Sequence, residues 1–191
     1  MPDIKSAFGA RRFPITFVGN YDLSRRKPLA HLGWKNVHVW GERWKRCPES
    51  KLYPENIRTH GAYYLRFADV ISHSLISLGL LREEASDLHT QRTFEIPACG
   101  TLQIAPRNDE ILSFFKEDHE IVCFGDVTEL AEKCDYYLKK DSQREKIARR
   151  GFERVHRDGH SYENRVRAIL EVVFQQMRSR FFPITLTGSS R

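Results

Sequence analysis

Several strings that announce well-known chemistries are missing from this chain. It has no G-x-G-x-x-G turn and no G-x-x-x-x-G-K-[ST] loop, which argues against a dinucleotide oxidoreductase and a phosphate-loop nucleotide hydrolase. It has no D-x-D triplet, so a divalent metal held by two such aspartates has no sequence support. Its four cysteines, at 47, 99, 123 and 134, form no C-x-x-C pair. In a chain of 191 residues they read as reduced thiols of a cytoplasmic protein rather than as a disulfide framework or a zinc site. No apolar run approaches the roughly 20 residues of a membrane span. The opening "MPDIKSAFGARRF" lacks the apolar centre of a secretory signal. Internal repeats and low-complexity segments are absent as well.

What is present is enough apolar material for one packed domain: 40 % hydrophobic residues against 29 % charged. The formal charge is +6 and the sequence pI near 9.2, which favours anionic partners: phosphates, nucleic acid or acidic lipid headgroups. The basic run "KKDSQREKIARRGFERVHR" interleaves acids among its lysines and arginines. That is the pattern of a solvated helix face, so nucleic acid is not the favoured partner.

Short apolar stretches alternate with helical patterns along the chain. "FPITFVGNY" (13–21), "KNVHVWG" (35–41), "LISLGLL" within 70–82, "TLQIAP" (101–106) and "IVCFGD" (121–126) read as strands. Helices are expected over 22–33, capped by Ser24 and closed by Gly33, over 61–69, and over Thr90–Cys99 with Gly100 as its stop. Residues 108–120 read as a short helix and a loop. Further helices are expected over Val127–Lys139 with Asp126 and Glu129 at capping-box spacing, from Asp141 to about His156, and from Ser161 to about Arg178. Residues 42–60, with two prolines and many polar groups, read as a loop. The domain is expected to run from 13 to 178, between an extension at 1–12 and a tail at 179–191. Strand–helix alternation with continuously apolar strands predicts an α/β fold: a parallel sheet covered by helices on both faces. Ligands of such sheets sit beyond the carboxyl ends of the strands, so the loops there carry the candidate site.

One of these loops stands out. "SDLHTQRTFEIPACG" (86–100) follows a strand, is polar at first, and ends in a small apolar tail. It opens a helix whose first amides suit an anion. Arg82 and Arg92 add charge able to hold phosphate bidentately, and Glu95 shares a helix face with Arg92. A carboxylate one turn into such a helix can accept from two neighbouring ribose hydroxyls. The same residues also fit a plainer role, with Asp87 and Thr90 as helix caps and Arg92–Glu95 as a surface pair. "EDHE" (117–120) reads as a charged loop rather than a metal site, and His38, His60 and His73 stand isolated.

Asp87 and Glu95, separated by seven residues and followed by "IPACG", resemble the E-x7-E element of GT-B glycosyltransferases. The fuller "D-x-H-T-x-R-T-F-E-I-P-A-C-G" is similar to the CgeB-like, spore-maturation branch of the group 1 glycosyltransferases. "FVGNYDLSRR", "VHVWGERW" and the closing "YYLKKDSQREKIARRGFERVHRDGHSYENR" agree in order, so the resemblance covers about residues 13–170. It implies a Rossmann-like domain, a single half of the GT-B fold, that binds a nucleoside diphosphate sugar built on UDP or GDP and uses no further cofactor or metal. It implies that Glu95 holds the ribose, that Asp87 contacts the donor sugar, and that His89 and Thr90 offer backbone amides to the diphosphate. From position, the loop at Gly19 with Arg25, Arg26 or Lys27 supplies a basic phosphate contact, and Trp40, Gly41 and Trp44 frame the base. The first acid departs from the family pattern by being Asp, one methylene shorter than Glu. A full GT-B chain carries a second, acceptor-binding domain, so an acceptor domain or partner chain is the expected companion. Without it the chain is expected to bind donor but transfer nothing. A non-catalytic nucleotide-binding or interaction module of the same fold is the alternative.

Overall fold

The computed structural model describes residues 12–181. Most of the expected N-terminal extension and the last ten residues of the expected tail lie outside that range. The described chain forms two units, one reaching Arg157 and one beginning at Asp158.

The first unit is built on six parallel strands: β1 (Phe13–Val18), β2 (Val37–Trp40), β3 (Ile57–Arg58), β4 (Ser74–Leu78), β5 (Leu102–Pro106) and β6 (Val122–Phe124). Their spatial order is β3-β2-β1-β4-β5-β6, the Rossmann-like order. The chain therefore reverses direction across the sheet between β1 and β4, and the loops after those two strands part there. Five strands match the expectation within a few residues. β3 does not, because a two-residue strand set among prolines and polar groups leaves no periodicity to read. Two short 3-10 turns, Trp44–Arg46 and Pro48–Lys51, fill the remainder of that stretch. Gly79, Leu80 and Leu81 were expected inside a strand; β4 ends at Leu78 and they lead the loop that follows.

Strand β1 pairs with β2 through Ile15 and Val37 and with β4 through Ile15 and Ile76. Its alternate residues serve opposite faces. Ile15 and Phe17 join Val37, Val39, Ile76, Leu78, Leu102 and Ile104 in one core. Helices α1 (Leu23–Leu32) and α5 (Val127–Lys139) close that core with Leu29, Leu130 and Cys134. On the other face, α2 (Tyr64–Ser72) supplies Phe67, Val70 and Ile71, and α3 (Arg92–Ala98) supplies Phe94 and Ile96. Helix α4 (Asp109–Phe114) adds Ile111 there. Helix α6 (Asp141–Arg157) gives Ile147 and Ala148 to the first core and Val155 to the second.

The helix ends show why the chain breaks where it does. The cap of α1 is Asp22, not the expected Ser24: its carboxylate accepts from the Ser24 amide at 2.9 Å and from the Ser24 hydroxyl. Those bonds hold the Asp22 carboxyl below its ordinary range. Gly33 closes α1 at φ 81°, and Gly100 ends the turn after α3 at φ 69°, as expected. Asp126 caps α5 by accepting from Thr128 and Glu129 amides at 2.8 and 2.9 Å. The reciprocal bond runs from the Gly125 amide to Glu129, one residue earlier than a standard capping box would place it. Buried Ser74 and Thr101 donate to the Val70 and Ile71 carbonyls, two of the orphan acceptors at the end of α2.

The second unit holds α7 (Tyr162–Phe181). Ser161 accepts from the Asn164 amide at 3.2 Å, as an N-cap should. Val166, Ile169, Leu170, Val173 and Met177 form an exposed apolar stripe along this helix.

Candidate functional site

The loops after β1, β2, β4, β5 and β6 all open at the carboxyl edge of the sheet. The loop after β1 is anchored from below. Gly41, at the end of β2, lies so close to Gly19 that a β-carbon there would sit 1.9 Å from the Gly19 carbonyl oxygen. The Trp44 indole N–H donates to that same oxygen at 2.8 Å. Asn20 then accepts from the Glu42 amide at 3.1 Å. Gly19 and Gly41 thus hold the two loops together. Trp40 and Trp44 do not frame a base: they are 2 % and 0 % exposed, Trp40 packed with Phe13 and Trp44 enclosed by Phe17, Tyr21 and Trp34. Both are core residues, drawn in because an indole at a strand end buries more apolar surface than any neighbour.

Of the three basic residues expected to meet phosphate from this loop, Arg26 is occupied. It grips the Glu49 carboxylate through Nε at 3.1 Å and through Nη2. This pins α1 to the second 3-10 turn and pushes the Glu49 carboxyl down to about 2, chiefly through the bond from Arg26. A depressed carboxyl contributes stability that is full above its ordinary value and fades as pH falls toward the depressed one. The wild-type protein is therefore expected to lose resistance to urea between about pH 5 and about pH 3, and Arg26→Ala to lose less over the same interval. Urea midpoints at the two ends of that window measure the difference.

Arg25 stands differently. Its guanidinium lies over the Phe17 ring at 5.5 Å and Nη1 donates to the Asn20 carbonyl at 3.2 Å, while Nε is buried without a partner among the described residues. Burial lowers its proton affinity, and the positive charge of Arg82 lowers it further. Arg82 comes from the loop after β4, so its charge acts on Arg25 across the point where the sheet reverses. The Glu83 amide approaches the Ser24 hydroxyl at 3.4 Å and ties the same two loops. Arg25 on the first turn of α1 and Arg82 in the loop after β4, with the cap carboxylate of Asp22 drawn down by both charges, make this edge of the sheet basic. Lys27, the third basic residue, is exposed on the next turn of α1.

A second group of residues gathers at the start of α3. Arg92 bonds Glu95 at 2.6 Å and its guanidinium lies 3.8 Å from the Phe67 ring centre. The bond reaches Glu95 Oε2 and leaves Oε1 without a partner among the described residues. Tyr63, beside Arg92, donates to Glu42 at 3.2 Å and so joins the loop after β3 to that after β2. Its ring packs on Gly61, where a β-carbon would come within 2.3 Å. Neither Tyr63 nor Glu42 was legible as a site residue. The signal was "GAYY", a glycine beside two exposed tyrosines directly after a strand.

The segment between is held by its other side. His89 pairs with Glu110 at 3.1 Å and its ring meets those of Phe94 and Phe114. The Leu88 carbonyl accepts from Asn108 at 3.0 Å. The Thr90 amide, expected to face a phosphate, is bonded to Thr93 Oγ1 at 3.1 Å. Helix α3 starts at Arg92, two residues later than expected, because this bond closes the chain into a turn ahead of it. Asp87 is exposed in the loop. Below α3, Gln103 Nε2 points toward the Arg92 carbonyl at 3.5 Å, while Gln103 Oε1 and Ser77 Oγ are buried without partners among the described residues. The four cysteines are free, and burial pushes the Cys47 and Cys99 thiols up to about 11. No helix among the described residues is long and apolar enough to cross a membrane.

A family model described as glycosyl transferase-like matches residues 23–171. No curated protein matches the sequence. Among solved structures, the C-terminal domain of a glycosyl transferase group 1 family protein from Francisella tularensis aligns with a TM-score of 0.57 at 13 % identity, over 82 % of this chain and 92 % of that one. Sucrose-phosphate synthase from Thermosynechococcus elongatus aligns with a TM-score of 0.67 at 14 % identity, over 86 % of this chain and 45 % of that one. AviGT4, a glycosyltransferase involved in Avilamycin A biosynthesis, aligns with a TM-score of 0.50 at 14 % identity, over 78 % of this chain and 51 % of that one. The likeness at these identities concerns the fold. The chain spans about half the length of the last two proteins.

Proposed function

The chain belongs to the glycosyl transferase-like family, and from that premise we propose that it is the nucleotide-sugar-binding half of a metal-independent GT-B glycosyltransferase, which moves a sugar from a nucleoside diphosphate to an acceptor. The observation that carries this reading is the partly buried Arg25 on the first turn of α1, its Nε without a partner among the described residues, within the field of Arg82 from the loop after β4. A diphosphate placed between them relieves their repulsion and is held by charge-assisted bonds. During transfer the bond from sugar carbon to diphosphate oxygen breaks, negative charge grows on the diphosphate, and the same two groups stabilise it. The free oxygen of Glu95 suits a ribose hydroxyl, and exposed Asp87 is the candidate for the donor sugar. The loss of the Thr90 amide to Thr93 shifts the phosphate role from backbone to arginine side chains. The string around Glu95 supports the CgeB-like branch, and four unpaired thiols support a cytoplasmic setting.

Calorimetric titration with UDP, GDP and ADP tests the reading. The wild-type protein is expected to bind UDP or GDP, and Glu95→Ala to bind about tenfold more weakly through loss of a charge-assisted hydrogen bond. Absence of binding to all three nucleotides overturns the donor site, and equal binding by both proteins removes Glu95 from it. Since the chain spans about half of its full-length structural relatives, donor turnover with and without an acceptor-domain partner separates an enzyme half from a nucleotide-binding module.

A further inference from the structure

The face of the sheet covered by α1 and α5 carries a cavity of about 640 Å³ at its carboxyl edge. Glu95 and α3 belong to the opposite face. The size suits a small organic ligand. Its lining is unlike that of a nucleotide or sugar site. Leu80 and Leu81 after β4, Pro106 and Phe124 at the ends of β5 and β6, Val127 of α5 and Pro28 of α1 form apolar walls. Few wall groups are free to meet the edge of a base or the hydroxyls of a sugar. The Ser24 hydroxyl is directed at Asp22, and the Asp126 carboxylate is engaged in capping α5.

Charge enters from one side. Lys27 and His31 lie four residues apart, on one face of α1, and both line the cavity; Arg82 borders it from across. Lys27 makes no hydrogen bond or ion pair among the described residues. Glu83 is the one acid of the lining left over, and it is exposed. The result is an apolar hollow with a cationic rim.

We propose that this cavity is a second ligand site that takes an amphipathic anion, a phosphate ester carrying an apolar group. The apolar group lodges against Leu80, Leu81, Phe124 and Val127, and the anionic head lies by Lys27 and His31. The site is separate from the donor site of the proposed function and stands whether or not that reading holds. Arg82 borders both, so an anion bound here lies beside the donor diphosphate.

Octyl phosphate below its micellar range, titrated into the full chain, is the probe. It is expected to bind at least about tenfold more tightly than octyl glucoside, which keeps the tail and lacks the charge. Lys27→Ala is expected to weaken octyl phosphate about tenfold, and Val127→Trp, which fills the hollow, to abolish its binding while leaving the melting temperature close to wild type. Glu95→Ala should bind octyl phosphate as the wild type does. Co-sedimentation with phosphatidylcholine vesicles containing phosphatidic acid distinguishes a bilayer-borne ligand from a free one. No binding of octyl phosphate, equal binding of octyl phosphate and octyl glucoside, or unchanged binding by a folded Val127→Trp overturns the proposal. Displacement of octyl phosphate by saturating UDP also overturns it, by assigning the cavity to the donor. If octyl phosphate binds and no nucleotide does, the donor reading fails and the second site remains.

Discussion

Gly41→Ala is expected to leave the protein largely unfolded at ambient temperature, or to lower its stability by about 3 kcal/mol or more. The added methyl meets the Gly19 carbonyl oxygen at 1.9 Å and the Trp44 indole nitrogen at 3.0 Å. The first contact is with backbone, and neither partner has room to yield. Gly19 continues β1, which is paired with β2 on one side and β4 on the other, and its own amide donates to the Trp40 carbonyl at 2.9 Å. The indole is fully enclosed. Relief therefore requires β1 and β2 to separate at their carboxyl ends, exposing the largest aromatic group of the core. Urea unfolding followed by circular dichroism reads the loss. As a control, Gly33→Ala, where a β-carbon meets nothing within 4 Å but φ is 81°, costs only local backbone strain, about 1–3 kcal/mol. A Gly41→Ala protein as stable as that control would show that the two loops are not locked together.

Arg82→Ala is expected to weaken nucleoside diphosphate binding by about a hundredfold, with no loss of stability in the free protein. Two charge-assisted bonds to one phosphate account for that magnitude. The stability of the free protein follows from the same geometry. Arg82 is exposed, and its charge depresses the proton affinity of half-buried Arg25. Removing it relieves repulsion rather than breaking a bond. A residue that costs the free protein energy and contributes only when an anion arrives belongs to a binding site rather than to the scaffold. Paired calorimetric titration and thermal unfolding of wild type and variant give both quantities. A stability loss with unchanged nucleotide affinity would place Arg82 in the scaffold.

The sequence and the structure agree where burial alone decides. Five strands, the closing glycines of α1 and α3, and the capping of α5 by Asp126 follow from apolar runs and from the few residue types suited to caps. What could not be read depends on contacts distant in the chain. Trp40 closes a strand beside Gly41 and Trp44 follows in a polar, loop-like string, where an aromatic residue beyond a strand end suggests a base platform. Only the approach of Gly19 shows them to be interior. Arg25, Arg26 and Lys27 are chemically alike in sequence, and they separate only through Glu49, Phe17 and Arg82, which arrive from elsewhere. Thr90 offered an amide on the assumption of an ordinary helix start, and the hydroxyl of Thr93 takes it. Glu95 is the reverse case. Its spacing from Asp87 singled it out, and it lies beside Arg92 with one oxygen unengaged among the described residues.

The enclosure of Trp44 has an experimental corollary. All three tryptophans, Trp34, Trp40 and Trp44, are buried where β1, β2 and the turns beyond them pack. The β4–β6 half of the sheet, with α3 to α6, contains only phenylalanine and tyrosine. Indole emission thus reports on one edge of the molecule and is blind to the other. Superimposable emission and far-ultraviolet dichroism transitions would mean that the six strands melt as one, whereas an early loss of dichroism at constant emission would mean that the β4–β6 half opens first.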